Sequence, residues 1–440
     1  MDEKEESTEE SANKFHEYFN GKFSTRSKVP VRRDELAHDL SIWYTPGVAE
    51  PCKRISENRN KVYDYTNKGN MIAVVSDGTR VLGLGDIGPE AGQPVMEGKS
   101  LLFNYFGGVD AVPISIDATE KEEIKDFVKK LQPSFGGINL EDIEKPKCFD
   151  LLKELREELD IPVWHDDQQG TALVSLAGLV GGLKFVGKKP EEIKLVLGGA
   201  GAAGVNIAKY SIAGGIKPEN ILMVDSKGIL SPTRQDIGKD DYKYVWAEKT
   251  NSAGIEGDMG KALEGADACI SVTTPGPGVI KKKDAERMAD DAILFACANP
   301  VPEILPEDAK EAGVRIVGTG RSDYPNQINN SLGFPAVFRG ALDVAASDIT
   351  DEMCLAAAYA IADRAEELGL EENSIIPPMD DQETYIKEAI SVGKKAIDQG
   401  VARREMTVQQ LEKLVREKIE FSKEITDLLM REGKISPFPD

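Results

Sequence analysis

Two pairs of adjacent acids stand where short apolar runs end. Glu141 and Asp142 close "GGINLEDI", and Asp166 and Asp167 close "IPVWHDD" just before a helix-like stretch opens at "QQGTA". If those runs are neighbouring strands, four carboxylates meet at one edge, where bare carboxylates repel one another strongly. A divalent cation is the simplest relief, and hard oxygen donors select Mg2+ or Mn2+ over zinc. The same acids can instead be helix N-caps and solvated strand ends, both common places for aspartate. Histidine offers no alternative metal set, because His16, His38 and His165 are scattered along the chain.

A second stretch, "LVLGGAGAAGVNIAK", has the form of a dinucleotide site. It sets Gly199, Gly201 and Gly204 in GxGxxG order directly after an apolar run and at the head of a helical pattern. Gly199 permits the tight turn, Gly201 lets backbone approach a pyrophosphate, and Gly204 allows helix and strand to pack closely. Ala202 and Ala203 open the helix, whose N-terminus attracts the anion. About 20 residues past the last glycine, Asp225 ends "ILMVD", where a carboxylate accepts hydrogen bonds from an adenosine ribose and repels a 2′-phosphate. Lys227 softens that repulsion, so the pattern favours NAD and leaves NADP open. A phosphate-loop look-alike, "GQPVMEGKS", fails because Gly92 and Gly98 are one residue too far apart for the GxxxxGK pattern. Lys99 therefore needs another role.

Positioning both stretches requires α/β layers. "MIAVVSDGTRVLGLGD" reads as a hairpin, with Asp77-Gly78 suited to a tight two-residue turn. After it, "AVPISID", "EKEEIKDFVKKLQPSF", "GGINLEDI", "CFDLLKELREEL" and "IPVWHDD" alternate strand and helix. A second alternation runs through "IKLVLGGAG", "NILMVDSKGIL", "GADACISVTTP", "DAILFACANP" and "VRIVGTG", whose apolar runs suit parallel strands with a site at their carboxyl ends. From about Asn330 the pattern is helical, with apolar residues three and four apart in "DEMCLAAAYAIADRAEELG" and "TVQQLEKLVREKIEFSKEITDLLM". The expected fold class is thus α/β, with an N-terminal α/β domain over residues 14–165 and a Rossmann-type doubly wound parallel-sheet domain over 166–335. Helices over 336–440 return to the first domain or meet a partner subunit, and residues 1–13 form a disordered acidic tail.

Composition narrows the function classes. A chain of 440 residues exceeds the usual size of one core. Its net charge of -22 repels nucleic-acid backbones and anionic lipid, so neither nucleic acid nor membrane is an expected partner. Five cysteines, Cys52, Cys148, Cys269, Cys297 and Cys354, never fall in CxxC spacing, which fits a reducing compartment. The acidic start "MDEKEESTEES" resembles neither a signal nor a transit peptide, so a cytoplasmic protein is expected. "TALVSLAGLVGGLKFVG" is the most membrane-like stretch, but its glycines and Lys184 point to a helix buried between domains. A homodimer or higher homo-oligomer is expected, with the last helix available to a partner.

Taken in order, "YTPGVAEPC", "SDGTRVLGLGDIG", "EGKSLLFNYFGGVDAVPISID", "LEDI", "WHDDQQGTA", "CANP" and "PNQINNSLGFPAVFRGALD" resemble the successive signatures of malic enzymes over roughly residues 40–345. The resemblance implies oxidative decarboxylation of (S)-malate to pyruvate and CO2 with reduction of NAD or NADP, and decarboxylation of oxaloacetate as a side activity. It makes the first domain the substrate domain. It assigns Glu141, Asp142 and Asp167 to a divalent metal, Lys99 to the base that takes the malate hydroxyl proton, and Tyr44 to the acid that protonates the enol carbon. Asp166 sits beside that lysine. Arg80 matches a substrate-carboxylate ligand, and Asn299 and Asn330 match amides at the substrate and nicotinamide end, with Asn329 a neighbour. A lysine acts as base only when its pKa falls, which burial beside a cation favours. Without the motif context these residues have plainer roles: a helix-start cation, a capped core aromatic, a surface charge. Two other classes differ in what they need. A metal-dependent oxaloacetate decarboxylase has no use for the glycine motif, and a dinucleotide-sensing module has none for the lysine and acids. The first glutamine of "HDDQQ", between the aspartates and Gln169, departs from many relatives, and the extension before Phe15 lies outside the pattern.

Overall fold

Short β-branched runs separated by amphipathic helices build two parallel sheets in the computed structural model, which describes residues 7–439. The first sheet contains β1 (Met71–Ser76), β2 (Asp110–Ser115), β3 (Gly137–Leu140) and β4 (Val163–His165), in the order β2-β1-β3-β4. The second contains β5 (Leu195–Gly198), β6 (Ile221–Asp225), β7 (Gly228–Ile229), β8 (Ala268–Ser271), β9 (Ile293–Ala296) and β10 (Ile316–Thr319), in the order β10-β9-β8-β5-β6-β7. Only β7 runs antiparallel, against β6. Helices cover the sheets, so the inner strands are buried on both faces and read as continuous apolar runs rather than alternating ones.

Register decides where the acids emerge. Leu140 pairs with His165 across β3 and β4, so Glu141 and Asp166 leave the sheet side by side. The expected hairpin is absent. Of "MIAVVSDGTRVLGLGD" only the first run is a strand, and β2 and β3 occupy both edges of β1, leaving no edge for a returning strand. The chain turns at Gly78, whose φ of 71° suits glycine, into a loop that feeds the Pro89–Gly107 helix.

The Thr171–Val186 helix is buried on nearly every side. The longer helical stretch Asp166–Val186 is apolar enough to cross a membrane by length and composition, yet 78% of its apolar window is buried inside the protein. It packs against the Ala202–Ala213 and Asp351–Leu368 helices, as a core element does. The Val408–Arg431 helix lies on Pro89–Gly107: Ser422 Oγ donates to the Asn104 carbonyl at 2.7 Å. Lys418 of the same helix reaches Oδ1 of buried Asp343 at 2.6 Å, and fully buried Arg339 pairs with both oxygens of that aspartate. The C-terminal helices therefore return to the first sheet's layer.

One expectation about the N-terminus needs correction. Residues 8–13 are helical, opening the Thr8–Phe19 helix behind a Ser7–Glu10 capping box that satisfies two terminal N–H groups. The rest of the expected disordered tail, residues 1–6, lies outside the described residues.

Candidate active site

At the carboxyl edge of the first sheet, Lys99 comes in from the Pro89–Gly107 helix. Its ammonium lies 2.7 Å from Asp166 Oδ2 and 3.0 Å from Glu141 Oε1, over the Phe334 ring at 4.4 Å from the centroid. Asp166 is fully buried and further held by Asn330 Nδ2 at 3.0 Å and Trp164 Nε1 at 3.2 Å. Glu141 Oε2 accepts from Asn139 Nδ2 at 2.9 Å. Burial works against the charge on Lys99, but the carboxylates of Asp166 and Glu141 outweigh it and hold the lysine above its ordinary pKa. The lowering expected of a catalytic base rests on a divalent cation beside the lysine, whereas the two anions that touch the ammonium act in the opposite sense.

Three further facts bear on a metal. Glu141, Asp142 and Asp167 each offer a carboxylate oxygen, and the three oxygens lie within 4.8 Å of one another. Asp142 Oδ2 is buried with no hydrogen-bond partner, an orphaned acceptor that a cation would satisfy. Burial raises Glu141 well above the usual carboxylate range, and burial together with Asp167 pushes Asp142 up to about 7. Crowded, desolvated oxygens of this kind fit a hard divalent ion. Glu35, His38 and Asp39 also cluster, but Arg32 already pairs with Glu35 at 2.7 Å and with Asp39.

The glycine turn has the geometry its sequence requires. Gly199 has a φ of 99°, and a Cβ there would stand 2.9 Å from the Val272 carbonyl. A Cβ on Gly204 would collide with the Gly199 carbonyl, so helix and strand touch backbone to backbone. Gly201 is the N-cap of the Ala202–Ala213 helix and supplies no capping side chain, which leaves first-turn N–H groups open to an anion. The two sheets face each other across this region. A Cβ on Gly83, in the loop after β1, would meet the Asn299 carbonyl at 3.4 Å.

The placement of the other expected residues is uneven. Asp225 does end β6, but its oxygens accept from Arg234 Nη1 at 2.8 Å, Lys243 Nζ at 2.8 Å and the Lys227 backbone N–H at 2.9 Å. Two cations therefore face one carboxylate, and its charge alone no longer disfavours a 2′-phosphate. Asn330 reaches Asp166, whereas Asn329 turns its oxygen to Ser331 as a cap. Arg80 donates its backbone N–H to the Asp142 carbonyl at 3.0 Å, while its exposed guanidinium binds the Leu82 carbonyl at 2.6 Å. Tyr44 is not brought to the cluster. It is 71% exposed after the peripheral Leu36–Trp43 helix, with no side-chain hydrogen bond or ring contact to any described residue. Asn139 was missed, although the two-residue strand period puts it on the face of Glu141. Trp164 bears the same relation to Asp166, whereas Phe334, Arg234 and Lys243 carry no such signal, because only folding brings them in.

Fold and site together define the class: an oxidoreductase that combines a nicotinamide dinucleotide with a divalent metal. Known proteins narrow this. The family signature of the malic enzyme N-terminal domain matches residues 21–127, and that of the malic enzyme NAD binding domain matches residues 168–397. The bifunctional malic/malolactic enzyme of Bacillus subtilis is 50% identical over 397 residues, covering 90% of this chain and 95% of its own. The NAD-dependent malic enzyme of Geobacillus stearothermophilus is 50% identical over 388 residues, covering 88% and 79%. A crystal structure of malic enzyme from Pyrococcus horikoshii superposes with a TM-score of 0.88 at 53% identity, covering 94% of this chain and 95% of that one. The chain belongs to the malic enzyme family.

Proposed function

We propose that this chain oxidatively decarboxylates malate to pyruvate and CO2 while reducing a nicotinamide dinucleotide, and that it also decarboxylates oxaloacetate. The observation that carries the reading is the Lys99 ammonium between Asp166 and Glu141, at the edge where three carboxylates converge. Glu141, Asp142 and Asp167 would hold Mg2+ or Mn2+. When bound, the dinucleotide would supply a hydride acceptor and the metal would supply Lewis-acid stabilisation of negative charge developing on the substrate oxygen. Lys99 Nζ, in its neutral amine form, would take the C2 hydroxyl proton, and Asp166 and Asn330 fix its direction. Arg80 offers a planar fork to a substrate carboxylate, and Asn299, three residues past β9, would offer an amide from the second sheet.

Residues 14–165 then form the substrate domain, 166–335 the dinucleotide domain, and 336–440 the helices that tie back to the first. Cofactor use is open at the ribose end, and initial rates with NAD and NADP at fixed malate and Mn2+ measure it. A homodimer or higher homo-oligomer in the cytoplasm fits the exposed apolar face of Leu36, Leu40, Ile42 and Trp43. Tyr44 stands on that face, so its role as the acid that protonates C3 depends on assembly. The direct test is Asp167→Ala, assayed for malate-dependent NADH formation with Mn2+. Turnover should collapse, and full turnover at saturating metal would remove Asp167 from the site.

A further inference from the structure

Beyond the metal pair, β3 runs into a loop that crosses to the other sheet. Its anchors are strong on both sides of Lys145. The Glu144 N–H donates to Thr79 Oγ1 at 3.0 Å, and Lys147 Nζ lies 2.7 Å from the buried carboxylate of Asp77. A little further on, the Phe149 ring meets Tyr242 of the second sheet's layer with centroids 5.9 Å apart, and the Tyr242 hydroxyl donates to the Ala200 carbonyl at 2.8 Å. The segment is thus pinned against the glycine turn.

Between these anchors, Lys145 has neither a hydrogen bond nor an ion pair among the described residues. Its ammonium instead hangs over the turn. A Cβ built on Gly201 would have Lys145 Nζ, at 3.4 Å, as its one neighbour outside the adjacent residues and the helix's own backbone. Lys145 is exposed and hydrated, and a helix N-terminus carries partial positive charge of the same sign, so nothing in the turn itself pairs with the ammonium. An anion between the two reverses the sign of both interactions.

We propose that Lys145 is a pyrophosphate ligand, donated by the metal-bearing layer to the dinucleotide held on the second sheet. The proposal rests on the dinucleotide reading above and extends it. Asp142 lies three residues earlier on the same loop, so occupancy of the glycine turn bears on the position of a metal carboxylate. Any coupling between metal and dinucleotide through this loop is then reciprocal, each changing the other's affinity by the same factor.

Calorimetry on the full chain with ADP-ribose, which contains the pyrophosphate, and adenosine, which lacks it, tests this. Lys145→Gln should weaken ADP-ribose by about tenfold or more, as loss of one charge-assisted contact does, and leave adenosine unchanged. Lys145→Arg should recover most of the affinity, and Mn2+ should tighten ADP-ribose binding in the parent more than in Lys145→Gln. Unchanged ADP-ribose affinity in Lys145→Gln overturns the proposal, as does an equal loss for adenosine. If the parent protein binds neither ADP-ribose nor NADH, the dinucleotide reading itself fails, and the proposal with it.

Discussion

The two parallel sheets end in opposite ways. At the edge of β3 and β4 the chain presents side chains, with Glu141 and Asp166 against one lysine and Asp142 and Asp167 grouped with Glu141. At the edge of β5 it presents almost no side chains, and glycines expose the backbone N–H groups of a helix start. A small hard cation needs charge delivered by convergent oxygens, whereas an extended pyrophosphate needs room and aligned dipoles. One edge is therefore held by ion pairs and desolvation, the other by backbone geometry.

The largest effect expected from this contrast is at Lys99. Lys99→Met should lower malate turnover by roughly a hundred- to ten-thousand-fold, the usual contribution of a positioned acid or base, while NADH binding by fluorescence stays at parent level. Loss of NADH binding as well would mean that the two edges are not separable. The reciprocal change is Gly204→Val, whose side chain meets the Gly199 carbonyl. It should weaken NADH by more than about tenfold and leave Mn2+ binding, followed by electron paramagnetic resonance, close to the parent value.

A buried carboxylate away from both edges sharpens the comparison at smaller scale. Glu388 is fully buried in the Gln382–Asp398 helix, and neither oxygen has a hydrogen-bond partner. Burial alone raises its pKa well above the ordinary value. The folded state then keeps this proton to higher pH than the unfolded chain, so stability present below the ordinary glutamate pKa is lost as pH rises above it. Glu388→Met should raise Tm by on the order of a few degrees at pH 8 and by less at pH 5. An equal gain at both pH values would show that packing, not the carboxyl, is responsible. Unlike Glu141, this glutamate has no ion pair and joins no acidic cluster among the described residues, which separates a desolvated acid from a functional one.

Legibility followed the same division. The glycine turn was readable because GxGxxG, its leading strand and its following helix are contiguous, and local sterics impose the geometry. The four acids were readable as a set only on the assumption that two strands are neighbours, and the Leu140–His165 register supplies that adjacency. The hairpin at Asp77-Gly78 was misread because turn chemistry is local, while the pairing of β1 is decided by strands that arrive later in the chain. Arg234 and Lys243 beside Asp225 left no trace in the local pattern, and they change the meaning of that aspartate.

By itself the sequence determined the element types, the glycine turn, the acidic strand ends and, through ordered motifs, the malic enzyme family. Periodicity and backbone sterics act over a few residues, so they survive in the linear chain. Tertiary structure alone decided that Lys99 is clamped by Asp166 and Glu141, that Asn330 supports Asp166, and that Tyr44 stands on an exposed face. It also decided that Lys145 overhangs a turn formed by residues of the other sheet. Charge and burial depend on which distant segments meet, and that is set by packing rather than by order along the chain.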